Sequence, residues 1–499
     1  MKLRVASNAL NNVVGGIVPA AALLLTMPYI VRGLGLEGYG LFTLITAIIG
    51  YFAVIDINVT AGAVKQLSHF HALGRHKEAS EVMVLGGMVY LGIGLLGAAL
   101  VALVAEPLAT TVLGLPAHQL PLARECLKVA AFGFFFGQLQ AYLLSMPQAL
   151  MRYDISSRIE AVFGVLLPCS TVLVLYLGYG LFEVLVVRVS LSAMNCAVLF
   201  VQTRRLAPWF VWCLPSRGTV REVSGFSAYA FMSRMAALSY TYLDKLVIGG
   251  ALGLKALSYY TVAATLGNRI MALMFRISAV AFPASSALAA RGDLDQLRAL
   301  YLRLNRYICF ANAGLLMVLA SVAEPLLARW LGADFAREGT LVLQLVAVAQ
   351  FIDSLTNLPS LVNDGLGHAK TSGLFAVTRA VLGLGAISVM VRVGGIEGVA
   401  LAHLMSALIM TVAFLIFVHG RTVPVPLAEL LRGAYYPGLL IALLAGSLAL
   451  GAVYQLSGRA FAQLVPVALL IATLAWAGLR YVLLPNDKQA LRAWIARRQ

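Results

Sequence analysis

Apolar stretches of roughly 20 residues recur along the whole chain and are separated by short polar connectors. An α-helix of about 20 apolar residues is long enough to cross the hydrocarbon core of a bilayer. By this length criterion the pattern predicts about 14 membrane-spanning helices, and therefore an all-α polytopic membrane protein. The predicted spans lie near 10–31, 38–62, 82–105, 123–146, 157–178, 180–203, 225–250, 256–282, 304–323, 338–361, 371–393, 395–419, 435–456 and 461–484.

Composition agrees with this pattern, and charge adds an orientation. The chain is 61% hydrophobic and 12% charged, yet its formal net charge is +16. Lys and Arg concentrate in alternate connectors, including 65–81, 204–224 and 286–303. Basic connectors mark the cytoplasmic side of a membrane protein, so we expect both termini in the cytoplasm. The positive charge is then explained by topology and by contact with anionic membrane lipids, and it does not imply nucleic-acid binding.

No motif of a soluble enzyme or of a metal site is present in the sequence. The five cysteines are scattered without a CxxC or His-Cys cluster, so neither a disulfide framework nor a bound metal is predicted. Walker A, HExxH and properly placed GxSxG motifs are lacking, which predicts that the chain is not an enzyme and binds no ATP. No cofactor is expected. If transport is coupled to an ion, Na⁺ and H⁺ are the candidates, and the sequence does not distinguish them.

Two connectors share a short motif, which indicates an internal repeat. Residues 34–44 join spans 1 and 2, residues 252–262 join spans 7 and 8, and Leu, Gly, Leu and Thr coincide between them at one offset. Such repeats are common in transporters, with the substrate site between them. We therefore expect two six-helix lobes, related by an axis along the membrane normal, followed by two additional helices. The predicted boundaries are 1–222, 223–420 and 421–499.

Further motifs carry a family resemblance over about the first 300 residues. They are Pro28, Leu34-Gly35, Tyr39-Gly40, Leu243-Asp244-Lys245-Leu246-Val247-Ile248-Gly249, Tyr259-Tyr260 and Phe282-Pro283. In this order and spacing they resemble the oligosaccharide flippases, the O-antigen and polysaccharide branch of the multidrug/oligosaccharidyl-lipid/polysaccharide exporter superfamily. The resemblance implies a protein of the bacterial cytoplasmic membrane with two lobes facing a central cavity, lined largely by spans 1, 2, 7 and 8.

Arginines inside the predicted spans are the leading candidates for cargo binding, because an ionisable group in a bilayer core needs a partner, water or a cavity. Arg269 and Arg276 are two helical turns apart, about 10 Å along one face of span 8. Arg234 lies in span 7, which the resemblance places beside span 8. Three guanidinium groups would suit a phosphate or pyrophosphate. The alternative is that Arg276 reaches the headgroups and Arg234 binds a backbone carbonyl.

Other polar residues in the spans have less specific interpretations. Arg379 and Arg188 are weaker cavity candidates, and Arg188 could instead pair with Glu183. Asp56 and Asp353 could bind a coupling ion or serve as counter-charges for arginine. Asn12 could hydrogen-bond sugar hydroxyls, although bonds between helices are the more frequent role of such residues.

Asp244 and Lys245 are predicted to be a structural anchor near the outer end of span 7. Adjacent helical residues point in different directions, so we expect no simple ion pair between them. Lys245 is expected to extend toward the lipid headgroups instead.

These observations favour a flippase for a polyprenyl-(pyro)phosphate-linked oligosaccharide in surface polysaccharide synthesis. Its partners would be that lipid-linked cargo, membrane lipids and, in an assembly, a polysaccharide polymerase. One alternative is a cation-coupled drug antiporter of the same superfamily, which would need an acidic cavity. Another is a membrane polymerase or ligase, an enzyme that would need a large outer loop.

Overall fold

The structure is a computed structural model of the chain. It describes residues 2–53, 59–112, 114–224, 228–278, 281–456, 462–485 and 487–489, with the backbone alone for residues 2–17 and for some positions elsewhere. This part of the chain is helical and contains no β-strand. The predicted all-α polytopic fold is confirmed, because 11 helices in the described ranges are long and apolar enough to cross a membrane.

The helices follow one another with short connections. In chain order they are α1 (Lys2–Phe52), α2 (Val59–Ala72), α3 (His76–Pro107), α4 (Leu120–Ala149), α5 (Tyr153–Tyr176), α6 (Leu181–Leu206), α7 (Arg217–Ser224), α8 (Ala228–Ser278), α9 (Ala281–Ala290), α10 (Leu294–Trp330), α11 (Ala333–Ser354), α12 (Asn357–Gly365), α13 (Ala369–Arg421), α14 (Leu427–Leu430), α15 (Tyr436–Gln455) and α16 (Leu464–Ala477). Short π-helical turns follow α3, α14 and α16.

Three of the long helices are interrupted by a glycine with non-helical backbone angles. The interruptions lie at Gly35 in α1, at Gly253 in α8 and at Gly394 and Gly395 in α13. These glycines fall at the junctions between predicted spans, so spans 1 and 2, 7 and 8, and 11 and 12 are each two helical segments joined at a bend. The total of 14 spans stays a prediction.

The bends at Gly35 and Gly253 have nearly the same backbone conformation. Gly35 has φ 70° and ψ 172°, and Gly253 has φ 82° and ψ 178°. This region of backbone space is essentially restricted to glycine, because a Cβ atom would clash with the backbone. The two glycines occupy matching positions in the repeated Leu-Gly-Leu motif. The shared geometry supports the predicted repeat, although the symmetry of whole lobes stays a prediction.

The two bends also contact each other reciprocally. The Ser258 hydroxyl donates a hydrogen bond of 2.6 Å to the Leu36 carbonyl oxygen, and Gly40 packs against the backbone of Leu254. The offset that aligns the two motifs pairs Leu36 with Leu254 and Gly40 with Ser258. Each contact is therefore the repeat image of the other, which is the arrangement expected around a local two-fold axis.

An ion pair lies at the same place. Lys255 Nζ is 3.5 Å from Glu37 Oε1, and these two residues occupy the same position in the two motifs. A residue that meets its own repeat counterpart must lie near the axis that relates the bends. His118 Nε2 and the Gln119 side chain also approach the Glu37 carboxylate, His118 at 3.7 Å and Gln119 at 2.7 Å.

Glycines let neighbouring helices approach closely elsewhere. Along α3, Gly86 faces the Tyr142 ring and Gly97 faces the Phe134 ring, both on α4. A Cβ atom at either glycine would overlap the aromatic ring, so only glycine permits this spacing. Small residues commonly form such seams between membrane helices, where no hydrophobic effect drives helices together.

By packing, the chain divides into two compact units, Met1–Ser258 and Tyr259–Gln499. The first unit has a buried cluster between α2, α3 and α4 that includes Leu67, Tyr90 and Met146. The second unit has one cluster around Tyr301 and another between α10, α15 and α16. The predicted lobe boundaries stay predictions.

Candidate functional site

A buried ion pair in the second unit joins two residues that the sequence singled out separately. Arg379, in the first half of α13, donates from Nη2 to Asp353 Oδ2, near the end of α11. The two side chains are 20% and 9% exposed. α11 and α13 pack directly on each other, which brings the charges together. A buried charge is costly unless it is paired, so this pair stabilises both groups.

Polar groups surround the Asp353 end of this pair. The Thr356 hydroxyl donates to the Asp353 carbonyl oxygen at 2.8 Å, and the neighbouring Ser354 hydroxyl accepts a hydrogen bond from Asn312 on α10. The second carboxylate oxygen, Asp353 Oδ1, is buried and accepts no hydrogen bond within the described part of the chain. An unsatisfied buried acceptor costs free energy, so a small donor or cation would be stabilised at this atom.

A cavity of about 150 Å³ adjoins the Arg379 side of the pair. Hydroxyl groups from α12 and α13 and from the residue preceding α12 line it, together with two phenylalanine rings and the Arg379 side chain. Hydroxyls and a guanidinium can hold a small polar ligand by hydrogen bonds. The lining residues are Thr356, Ser360, Ser372, Phe375, Ala376, Arg379, Met410, Thr411 and Phe414.

A histidine lies close to this ion pair. His403, in the second half of α13, is buried and its ring stacks on Tyr260 with centroids 6.2 Å apart. Together with Arg379 it acts electrostatically on the Asp353 carboxyl. The sequence does not predict that Asp353, Arg379 and His403 lie close together, because they are far apart along the chain. The packing of α11 against both halves of α13 brings them together.

Arg269 lies on an exposed face of the second half of α8. The preceding residues hold this part of α8 against α11: Gly267 packs on Val346, and Gln350 donates a hydrogen bond of 2.6 Å to Asn268. The backbone is therefore held by packing on α11 immediately before Arg269, whose side chain is exposed. The side chains of its predicted partners Arg234 and Arg276, the side chain of Asn12 and the whole of Asp56 lie outside the described residues.

Arg188 has an aromatic neighbour instead of an acidic one. Its guanidinium carbon lies 5.2 Å from the centre of the Phe42 ring, a cation–π distance. Glu183, the expected alternative partner, accepts a hydrogen bond of 2.9 Å from the Gly180 backbone and so caps the start of α6. Within the described residues the structure has no ion pair between Arg188 and Glu183.

The expectation that Asp244 and Lys245 form no simple ion pair is wrong. Lys245 Nζ lies 3.2 Å from Asp244 Oδ1, and the Lys245 backbone amide donates to the same oxygen at 2.7 Å. The lysine chain is long enough to fold back along the helix, where it also donates to the Thr241 carbonyl oxygen. The side chains are only 5% and 15% exposed, so Lys245 does not extend outward as predicted.

Comparison with known proteins identifies the family. Residues 29–338 match the model of the family described as polysaccharide biosynthesis protein, which is more than half of the chain. The chain belongs to this family. The family predicted from the motifs is thereby confirmed. The matched residues include both Leu-Gly-Leu bends and Arg269.

Two curated relatives match most of the length of the chain. The chain is 24% identical over 411 residues to the "Uncharacterized membrane protein EpsK" of Bacillus subtilis (strain 168), covering 78% of this chain and 77% of that one. It is 19% identical over 408 residues to the "Putative O-antigen transporter" of Shigella flexneri, covering 80% of this chain and 94% of that one.

Solved structures show the same fold. The chain is similar to the lipid II flippase MurJ in an inward closed conformation, with a TM-score of 0.72, 14% identity and coverage of 95% of this chain and 98% of that one. It is also similar to a multidrug resistance MATE family transporter of the MOP superfamily in an inward-facing conformation. The TM-score is 0.62 at 15% identity, with 85% and 94% covered. At such identities the likeness concerns the fold alone.

Proposed function

We propose that this chain is a flippase that moves a polyprenyl-(pyro)phosphate-linked oligosaccharide across the cytoplasmic membrane for surface polysaccharide synthesis. The family match over residues 29–338 of a polytopic membrane protein is the observation that carries the proposal. Sugars and a phosphate cannot cross about 30 Å of hydrocarbon unaided, so such pathways need a protein that shelters the head group. The curated relative named as an O-antigen transporter supports the same class of cargo.

The proposed mechanism is alternating access without catalysis. Two lobes would rock around a central site, so that the head group is exposed first to one side and then to the other. The polyprenyl tail would stay in the lipid. The chain would catalyse no bond change, and a polysaccharide polymerase would act on the cargo after export. Na⁺ and H⁺ are the candidate coupling ions, with Asp56 and Asp353 as the acids that could respond to them.

Arg269 is the proposed primary contact for the phosphate part of the cargo, with Arg234 and Arg276 as neighbours on span 7 and span 8. Its exposed side chain on a membrane helix is compatible with the proposal, because a guanidinium in a span needs a partner, water, a cavity or an anion. Arginine also offers a planar fork of donors that matches phosphate oxygens. Arg188 and Arg379 are further cavity candidates, although Asp353 balances the charge of Arg379, and Asn12 would bind sugar hydroxyls.

Substitution of Arg269 tests this assignment. Arg269→Ala should abolish export of surface polysaccharide in a deletion strain while protein abundance in the membrane stays unchanged. Arg269→Lys should restore only part of the export, because the charge remains but the bidentate geometry is lost. Arg337→Ala is the matched control, since Arg337 is an exposed arginine that pairs with Asp334 and Glu338 at the start of α11. Full complementation by Arg269→Ala would show that the phosphate contact lies elsewhere.

The structural likeness to MATE transporters supports a second candidate, a cation-coupled drug antiporter. Such a protein would hold its cation with a buried acid. Two buried acids within the spans, Asp244 and Asp353, are instead paired with Lys245 and Arg379. Drug sensitivity of the deletion strain separates the two candidates: an antiporter predicts increased sensitivity to cationic drugs with normal surface polysaccharide, and the flippase predicts the reverse.

A further inference from the structure

The segment between α6 and α7, residues 207–216, has two different sides. One side packs on the first unit: Ala207 is buried, and Trp209 and Phe210 contact the core cluster of α2, α3 and α4. The other side is exposed and apolar. Val211 is 62%, Trp212 72% and Leu214 77% exposed. We call residues 207–216 the aromatic connector.

The aromatic connector is held firmly in place, so its exposed side is a built surface. The Val211 amide donates to the Ser80 hydroxyl at 3.2 Å, and the Ser216 amide donates to Glu81 Oε2 at 3.0 Å. The Thr219 hydroxyl donates to the same carboxylate oxygen at 2.7 Å. Glu81 is itself buried, and it thereby ties the connector and the start of α7 to α3.

Aromatic stacking fixes the inner side further. The Trp209 ring stacks against two neighbouring histidines, with centroid distances of 4.8 Å to His76 and 5.5 Å to His71. Burial, with the Glu81 carboxylate nearby, raises the pKa of the Cys213 thiol. The Cys213 thiol is half-buried and donates to the Lys77 carbonyl oxygen on α3 at 3.9 Å, while its neighbours Trp212 and Leu214 are exposed.

Exposed positive charge flanks the apolar side. Arg204 and Arg205 end α6 immediately before the connector, and Arg217 follows it at the start of α7. All three are exposed. Because the connector begins where a membrane helix ends, its depth is that of the bilayer surface. Tryptophan favours this interfacial layer, and Arg is attracted to anionic headgroups there.

We infer that the aromatic connector is a membrane-surface anchor, in which Val211, Trp212 and Leu214 insert among lipid headgroups while Arg204, Arg205 and Arg217 bind anionic lipid phosphates. An apolar patch rimmed by basic residues at the level of the headgroups matches an anionic leaflet in both polarity and charge. The anchor belongs to the first unit, so it would fix the membrane depth of that end of α6. This inference does not depend on which cargo is transported.

Trp212 itself provides the test. The full-length protein is reconstituted in nanodiscs that contain either neutral or anionic lipid, with bromine placed on the acyl chains near the headgroup. The Trp212 signal is the fluorescence of the unmodified protein minus that of Trp212→Phe. The Trp209 signal, obtained in the same way with Trp209→Phe, is the matched control. We expect brominated lipid to quench the Trp212 signal at least two-fold more than the Trp209 signal, and aqueous acrylamide to quench Trp212 weakly.

The charged rim is tested separately. Brominated anionic lipid should quench Trp212 more strongly than brominated neutral lipid. The double variant Arg204→Gln/Arg205→Gln should lose this difference. Strong quenching of Trp212 by acrylamide together with none by brominated lipid would overturn the inference, because the patch would then face water and await a protein partner. Quenching that is equal in neutral and anionic discs would overturn the assignment of the arginines to lipid phosphates.

Discussion

Asp353 and Arg379 form a buried ion pair that joins α11 to α13. Their presence in predicted spans marked both as candidates, but with separate roles. Pairing depends on which faces of α11 and α13 meet, and periodicity in helices that are apolar on all sides does not specify this. The same holds for Asp244 and Lys245. The directions of adjacent helical residues predict no pair, but the flexible lysine side chain folds back along the helix and reaches Asp244.

Breaking the buried pair should be costly and the cost should be non-additive. Asp353→Asn or Arg379→Gln alone leaves one buried charge uncompensated, so each should lower the free energy of unfolding by about 3–5 kcal/mol. The double variant Asp353→Asn/Arg379→Gln should recover part of this loss, because no buried charge remains. The measurement is unfolding of the purified protein in mixed micelles. Losses that simply add in the double variant would contradict a direct pair.

At the scale of elements, the bends at Gly35 and Gly253 were visible in sequence as connectors, and their conformation was not. Gly35→Ala should lower the free energy of unfolding by about 1–3 kcal/mol, because Ala is strained at φ 70° although space is free around it. Gly40→Ala should be at least as harmful for a different reason, since its Cβ would lie 2.2 Å from the Leu254 carbonyl oxygen. Gly385→Ala, in a roomy position within α13, is the control and should be neutral or stabilising.

The reciprocal contact of the bends predicts a charge swap. Glu37→Lys should place two lysines near one axis, and Lys255→Glu should place two glutamates there. The double variant Glu37→Lys/Lys255→Glu should restore the pair. Because Glu37 and Lys255 are 46% and 64% exposed, we expect a coupling of about 0.2–1 kcal/mol that weakens with salt. A double-mutant cycle on thermal stability at low and high salt measures this coupling. Zero coupling at low salt would show that Glu37 and Lys255 do not interact.

For the whole molecule, the hydropathy pattern was enough to predict an all-α polytopic fold, since length and apolarity alone decide whether a helix can span. The family followed from motifs such as Leu34-Gly35 and their spacing. The cavity beside Arg379 could not be predicted, because it depends on how α12 and both halves of α13 pack. The aromatic connector was visible only as tryptophans near a basic segment, and the structure supplies its two-sided character.

Orientation in the membrane is a further whole-molecule prediction. Basic residues in 204–221 predict that this connector and both termini face the cytoplasm. Reporter fusions after residue 221 and at the C-terminus should therefore show cytoplasmic activity only. A fusion within the connector at 106–123 should report the opposite side. Periplasmic activity of the fusion after residue 221 would reverse the orientation.

The central claim is that this member of the polysaccharide biosynthesis protein family moves a lipid-linked oligosaccharide across the membrane. The most direct measurement is the amount of that intermediate in a deletion strain and the leaflet in which it lies. Labelling its sugar gives the amount, and digestion by an enzyme that acts only from outside gives the leaflet. The account predicts that deletion causes the intermediate to accumulate in the cytoplasmic leaflet, protected from the external enzyme, while surface polysaccharide is lost. Normal surface polysaccharide, with no accumulation and full access to the enzyme, would contradict it.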